Sequence, residues 1–228
     1  MQPGLLVGGA ALLLLLLLVA RLYFVLPGFG RPARAAAARR KKGKAVARGA
    51  PNKLLCIVLG SGGHTTEMMR LLQGVDFERY TRRLYIVGRG DGLSLSQLAA
   101  LESTQGRRSE GHCVEQIPRS RSVGQSWLTA PVSVARCLAR VVALLYEYSP
   151  DVILCNGPGN CVVVCAVALV PRILGLKHIP IIYVESFARV NTMSLSGKLV
   201  YPMADRFVVQ WPGLARKYPR AECFTHLV

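Results

Sequence analysis

The sequence has no G-K-[S/T] triplet after its glycine-rich run, no N-x-S/T sequon and no acidic residue between Arg31 and Lys53. The first absence excludes a Walker-type phosphate loop. The second is consistent with a domain that never meets the glycosylation machinery. Cysteine is odd in number, at seven, which fits a reducing compartment better than a closed disulfide framework. The C-x5-C-x3-C spacing of Cys155, Cys161 and Cys165 matches no zinc pattern, so these are expected to be buried, inert thiols and no metal site is expected.

The missing acids leave nine basic residues in the short stretch Arg31–Lys53, about half of a formal net charge of +17. Nucleic-acid binding would be the usual reading of such a run, but its place beside an apolar stretch argues against a nucleic-acid partner. From Leu5 to Leu26 the chain is apolar or small except for Arg21 and Tyr23. As a helix these residues would span roughly 33 Å, enough for a bilayer core. Arg21 lies near one end, where its head is expected to reach the lipid phosphates. No side-chain charge precedes the run, as a cleaved signal peptide would require. By the positive-inside rule the following domain stays cytosolic and the short amino terminus faces the lumen. The expected organisation is a single-span anchor over 1–30, a basic juxtamembrane linker over 31–53 attracted to anionic headgroups, and one domain over 54–228.

Within that domain, short apolar runs alternate with glycine turns and amphipathic segments. Strands are predicted at Leu54–Leu59, Leu84–Val87, Val114–Ile117, Asp151–Cys155, Ile179–Val184 and Arg206–Val209. Helices are predicted at Thr65–Gln73, Leu93–Glu102, Trp127–Tyr146, Cys161–Leu174, Leu195–Met203 and Trp211–Tyr218, with a basic loop at Gln105–Gly111. This alternation specifies an α/β fold with a doubly wound parallel sheet. Ligands of such sheets sit beyond the carboxyl ends of the strands. Three loops are expected there: Gly60–Thr65, Asn156–Cys161 and Glu185–Val190.

Gly60-Ser61-Gly62-Gly63-His64-Thr65 closes the first strand and opens the first helix. Glycines there let the backbone approach an anion, and free amides at the helix start favour a diphosphate. Thr65 stands where a Rossmann loop has its third glycine or alanine, and Arg89 where an acid would hold an NAD ribose; that arginine would suit NADP. A tight turn without ligand fits the same glycines. His64, at the helix start, suits a neutral imidazole that accepts a proton from a hydroxyl or donates to a phosphate; a packing histidine fits as well. Asn156-Gly157-Pro158-Gly159-Asn160 is a second rigid turn with exposed amides. Glu185 and Ser186 follow the next buried strand; the carboxylate could orient a sugar hydroxyl, act as base or cap a helix. Arg119 and Arg121 place two guanidiniums in one loop, suited to phosphate or simply to solvent.

L-G-S-G-G-H-T-T-E (59–67), I-P-R-S-R (117–121), C-N-G-P-G (155–159), Y-V-E-S (183–186), S-G-K (196–198) and Q-W-P (210–212) occur in this order. Together with the amino-terminal run they resemble the membrane-subunit family of the dolichol-pathway UDP-N-acetylglucosamine transferase. That resemblance covers Leu54–Val228. It implies the amino-terminal half of an inverting GT-B glycosyltransferase, held at the endoplasmic reticulum membrane. A soluble catalytic subunit would bind UDP-GlcNAc, and the pair would add the second GlcNAc to GlcNAc-diphosphate-dolichol. No separate cofactor is implied. More distantly, the loops are similar to those of the bacterial transferase that forms lipid II. By that motif match the acceptor diphosphate falls on Gly62 and Gly63 beside His64, and the loop chemistry adds Gly60, Ser61, Thr65, Arg119, Arg121, Asn156, Gly157, Gly159 and Ser186 as candidate diphosphate contacts. The similarity makes His64 and Glu185 the candidate catalytic residues. The bacterial H-E-Q-N motif corresponds to the stretch Tyr183–Phe187, with Val184 at the histidine, Glu185 at the glutamate and Ser186-Phe187 at the Gln-Asn pair, so only the glutamate is kept.

A GT-B enzyme needs two facing domains and one is legible here, so the chain alone is expected to be inactive. The apolar end Ala221–Val228 is a candidate contact for the partner. Two other classes remain open from the sequence: a membrane-tethered NADP oxidoreductase, which would lack a Tyr-x-x-x-Lys pair, and a noncatalytic scaffold.

Overall fold

The structure is a computed structural model that describes residues 3–30, 53–105, 111–120, 128, 130–157 and 159–225. The linker 31–52, the centre of the basic loop, Arg121, Pro158 and the start of the predicted Trp127–Tyr146 helix lie outside the described residues.

Seven strands form one sheet: β1 Leu54–Val58, β2 Arg82–Gly88, β3 Gly111–Ile117, β4 Val152–Asn156, β5 Ile181–Val184, β6 Arg206–Val209 and β7 Ala221–Cys223. Every pairing is parallel, in the order β3-β2-β1-β4-β5-β6-β7. The sequence explains the middle of this sheet directly. Leu-Leu-Cys-Ile-Val in β1 and Val-Ile-Leu-Cys-Asn in β4 are buried along their whole length, as strands covered on both faces must be. β7 was not foreseen; its three residues continue the sheet from β6 with Phe207 opposite Ala221.

One face is covered by α3 (Gly63–Gln73) and α4 (Gly92–Gln105), through Met68, Met69, Leu72, Leu98 and Leu101. The other is covered by α5 (Ala130–Tyr148), α6 (Gly159–Ile173), α7 (Leu195–Val200) and α8 (Pro212–Lys217), through Val141, Leu144, Val164, Ala168, Val200 and Leu214. After β3 the chain returns to the far side of β1. The winding therefore reverses between β1 and β4, and the loops after those two strands flank the crevice.

At the amino terminus, α1 runs Pro3–Val25 and α2 Pro27–Gly30. Among the described residues no helix is long and apolar enough to cross a membrane; in α1 the described side chains begin only at Leu12. The carboxyl end of α1 is seated on the domain. Val25 is buried, and the Gly28 amide donates to Pro202 O at 3.0 Å. A β-carbon on Gly28 would come within 2.8 Å of the Pro202 backbone. Arg21, exposed near the end of α1, also reaches onto the domain. Its Nε donates to Ile173 O at 2.9 Å and its Nη2 to Arg172 O at 3.4 Å. These carbonyls end α6, where a cation also complements the helix dipole.

Candidate functional site

The glycine-rich turn is braced from below. Thr65 donates from its hydroxyl to Gly60 O, Ser94 Oγ lies 2.9 Å from the same carbonyl oxygen, and the two hydroxyl oxygens are 2.6 Å apart. Ser94 donates to Asp91 Oδ2 at 2.7 Å, and its amide to Asp91 Oδ1 at 3.1 Å. Thr65, Ser94 and Asp91 are buried. Gly60 and Thr65, expected against a ligand, therefore shape the turn from within. Ser61, Gly62 and Gly63 are exposed. Gly62 has φ +63°, and a β-carbon on Gly62 or Gly63 would meet nothing within 4 Å. These glycines keep space open rather than permit packing. Gly62 caps the eleven-residue α3 without a side-chain hydrogen bond, so the first turn turns a bare, positive dipole end outward.

His64 and Glu67 sit three residues apart on that first turn, on one helix face. His64 Nδ1 lies 3.1 Å from Asn156 Oδ1 at the end of β4. Asn156 Nδ2 donates to Glu67 Oε2 at 3.0 Å, and Ser186 Oγ donates to Glu67 Oε1 at 2.8 Å. Gly157, at φ +84°, leaves the imidazole its place; a β-carbon there would lie 2.3 Å from the ring. His64, Asn156, Gly157 and Ser186 are thus brought into one cluster from three loops. Glu67, which joins two of them, ends the 59–67 motif, where nothing in the sequence marks its part.

Glu185 lies beside this cluster with its carboxylate turned inward and no exposure. It accepts from Ser186 N, Ser194 N and Ser194 Oγ, each at 3.1 Å. Ser194 in turn caps α7 by accepting from Gly197 N at 2.9 Å. A β-carbon on Gly197 would lie 2.1 Å from Glu185 Oε2, which explains why glycine and glutamate go together here. The carboxylate ties down the loop 186–194 rather than facing the crevice. Tyr183, within 3.5 Å of both Gly157 O and Ser194 Oγ, is held by burial and then by the Glu185 charge well above the usual phenol range, so it remains a donor. The Q-W-P motif supports the same loop: Trp211 Nε1 donates to Phe187 O at 2.7 Å and the two rings are 5.0 Å apart.

Arg119 is half-buried against Gly88, its Nε 3.6 Å from where a β-carbon on that glycine would be. Asn160 Oδ1 accepts from Ser120 N at 2.8 Å, and a β-carbon on Gly159 would sit 3.0 Å from Ser120 Oγ. The loop after β3 is thereby packed on the start of α6, at the same sheet edge. Asp91, Ser94 and Ser194 share in bracing these loops and carry no motif that marks them in the sequence, whereas Asn160 closes the glycine turn legible there. The depressions lined by Val75–Glu78 and by Leu54, Arg82, Gly111 and Tyr148 lie away from these loops. Among the described residues of the site, Ser61, Gly62 and Gly63 are exposed at the carboxyl edge of the sheet.

The seven-stranded parallel sheet, with a glycine-rich helix start and a histidine at the point where its winding reverses, defines a doubly wound α/β domain. Within that class the chain belongs to the Alg14 family: residues 55–227 match the family model described as oligosaccharide biosynthesis protein Alg14 like. The UDP-N-acetylglucosamine transferase subunit ALG14 of Yarrowia lipolytica is 46% identical over 171 residues, 75% of this chain and 79% of that one. The subunits of the same name from Schizosaccharomyces pombe and Homo sapiens are 45% and 40% identical, over 75% and 73% of this chain and 81% and 79% of theirs. Among solved structures, Acinetobacter baumannii MurG aligns at a TM-score of 0.49 and 12% identity, over 71% of this chain and 42% of that one; a likeness so distant carries no functional weight.

Proposed function

We propose that this chain is the acceptor-side, membrane-held subunit of a two-chain UDP-GlcNAc transferase that extends GlcNAc-diphosphate-dolichol. The observation that carries the proposal is the His64 cluster on the bare first turn of α3, with the imidazole half-buried beside the exposed Ser61–Gly63 turn at the switch point. The names of the relatives, all transferase subunits, support it, and they leave the NADP alternative without support. In this reading the domain is the amino-terminal half of a GT-B fold, and a partner that carries the nucleotide sugar faces its carboxyl edge.

The acceptor diphosphate lies over Ser61–His64, where amides and the helix dipole receive its charge and Arg119 adds a guanidinium. The acceptor sugar hydroxyl then attacks the anomeric carbon of UDP-GlcNAc. The bond from that carbon to the diphosphate oxygen breaks, UDP leaves with the electron pair, and the hydroxyl proton passes to His64 Nε2. One displacement inverts the anomeric centre.

The membrane reading rests on the apolar run Leu5–Leu26 and on exposed apolar surface near its foot. Leu174 and Leu176 are exposed beside the Arg21 contact. The outward face of α5 shows Val132, Val134, Leu138 and Val142 with Arg136 and Arg140 among them, a pattern suited to the headgroup boundary. We place the domain on the cytosolic side of the endoplasmic reticulum, with the amino terminus luminal, because the basic linker follows the span.

Transfer of GlcNAc from UDP-GlcNAc to a synthetic GlcNAc-diphosphate lipid tests the proposal, with this chain alone, the soluble partner alone and both together. Transfer by the pair only is the expected result; efficient transfer by this chain alone would refute the half-enzyme.

A further inference from the structure

We propose that Glu67 is a positioning residue that fixes, through Asn156, the tautomer of His64 in which Nδ1 carries the proton and Nε2 is the free base. The role of that base rests on the reading above; the position of the proton does not.

The argument follows from which groups can donate. Asn156 is fully buried, so each end of its amide must find its partner within the protein. One end faces Glu67 Oε2 at 3.0 Å and the other faces His64 Nδ1 at 3.1 Å. A carboxylate only accepts, so the end facing Glu67 is the amide nitrogen. The reverse orientation would set a carbonyl oxygen against a carboxylate with no water between them. The end facing His64 is therefore the carbonyl oxygen, which also only accepts. Nδ1 must then carry hydrogen, and in a neutral imidazole that leaves the lone pair on Nε2. Water favours the opposite tautomer, with the proton on Nε2. Without Glu67 the ring would hold its proton where a base needs a lone pair.

Glu67 is itself held. Ser186 Oγ donates to Oε1 at 2.8 Å and accepts from Ala188 N at 3.3 Å, so the direction of the chain is set from the loop backbone inward. Gly157 confines the ring against Asn156, since a β-carbon there would displace it. The α3 first turn thus supplies both the histidine and the residue that orients it, with the end of β4 between them.

The test is the nitrogen spectrum of the full chain in lipid nanodiscs, labelled with 15N-histidine. The chain has four histidines, and His64→Gln assigns the signal of interest. His64 is expected to show a protonated, pyrrole-type Nδ1 and a pyridine-type Nε2. Glu67→Ala is expected to move the proton wholly or partly to Nε2, while Glu67→Gln, whose carbonyl still accepts from Asn156, keeps the wild-type pattern. Glu67→Asp, too short to reach Asn156, provides a second variant that should behave as the alanine does. In the reconstituted pair, Glu67→Ala and Glu67→Asp should lower kcat about tenfold or more with KM for UDP-GlcNAc little changed, and Glu67→Gln should stay within about threefold. An Nε2-protonated ring in the wild type, or a spectrum indifferent to Glu67→Ala and Glu67→Asp, would overturn the inference. Failure of the base reading looks different: His64→Ala would leave transfer intact while the tautomer still followed Glu67.

Discussion

The imidazole of His64 fills the space that a side chain on Gly157 would need, 2.3 Å from where the first carbon would stand. The C-N-G-P-G motif and the G-G-H motif are therefore parts of one contact, although 93 positions separate the two residues (157 minus 64).

Gly157→Ala should displace His64 and also strain a backbone held at φ +84°. The expected stability loss is about 1–2 kcal/mol. The rate of the reconstituted pair should fall about 100-fold, as small misplacements of a reacting group do. Transfer assays beside thermal unfolding separate the two effects; wild-type rates would show that the ring position is unimportant.

Much of this was legible in the sequence, and the limits have physical causes. Buried strands such as β1 and β4 announce themselves as unbroken apolar runs, and glycine turns mark where they end. β7 did not, because two half-buried residues and one exposed residue at a sheet edge need little apolar character. The loops around His64 were found through their glycines. The direction of the Glu185 side chain was not, since a carboxylate at a strand end looks the same whether it faces the crevice or a serine amide. Glu67 carries no signature of its own; its meaning depends on Asn156 and Ser186, 89 and 119 positions away.

Glu185 and Gly197 form a second such pair. Glu185→Ala would leave the buried donors of Ser186 and Ser194 without an acceptor, at a cost of about 2–4 kcal/mol. Gly197→Ala should act the same way by pushing the carboxylate off its partners. Both are read by denaturant unfolding in detergent. A Glu185→Gln chain of wild-type stability whose transfer rate drops a thousandfold would instead make Glu185 the base.

Far from the crevice, Arg83 and Glu102 form a buried two-pronged ion pair, with both contacts at 2.7 Å and Tyr85 donating to the same carboxylate at 2.6 Å. Burial raises the Glu102 pKa, but the Arg83 and Tyr85 hydrogen bonds outweigh it and hold the carboxyl below its usual range. A carboxyl depressed in the folded state adds stability above its unfolded pKa, and that share is lost as pH falls below about 4 through the folded value. Glu102→Gln should flatten this acid limb and, by leaving the buried Arg83 charge without its carboxylate, cost about 3–5 kcal/mol at neutral pH. Unfolding followed from pH 7 to pH 3 checks both signs.

Cys113 and Cys223 are exposed and the other five thiols are buried. Burial pushes the Cys137 thiol up to about 11, which further protects it from alkylation. A membrane-impermeant maleimide added to sealed microsomes should modify Cys113 and Cys223 and spare the rest until the protein is unfolded. Protection of both until detergent is added would place the domain in the lumen and reverse the proposed topology.

The most direct test of the central claim is His64→Ala in the reconstituted pair, assayed for GlcNAc transfer to a GlcNAc-diphosphate lipid and, in the same preparation, for binding of the soluble partner. The account predicts a rate lower by about 100-fold or more with partner binding intact, as expected when a positioned base is removed. A wild-type rate in that variant would contradict it, leaving this chain as an anchor and scaffold with the chemistry elsewhere.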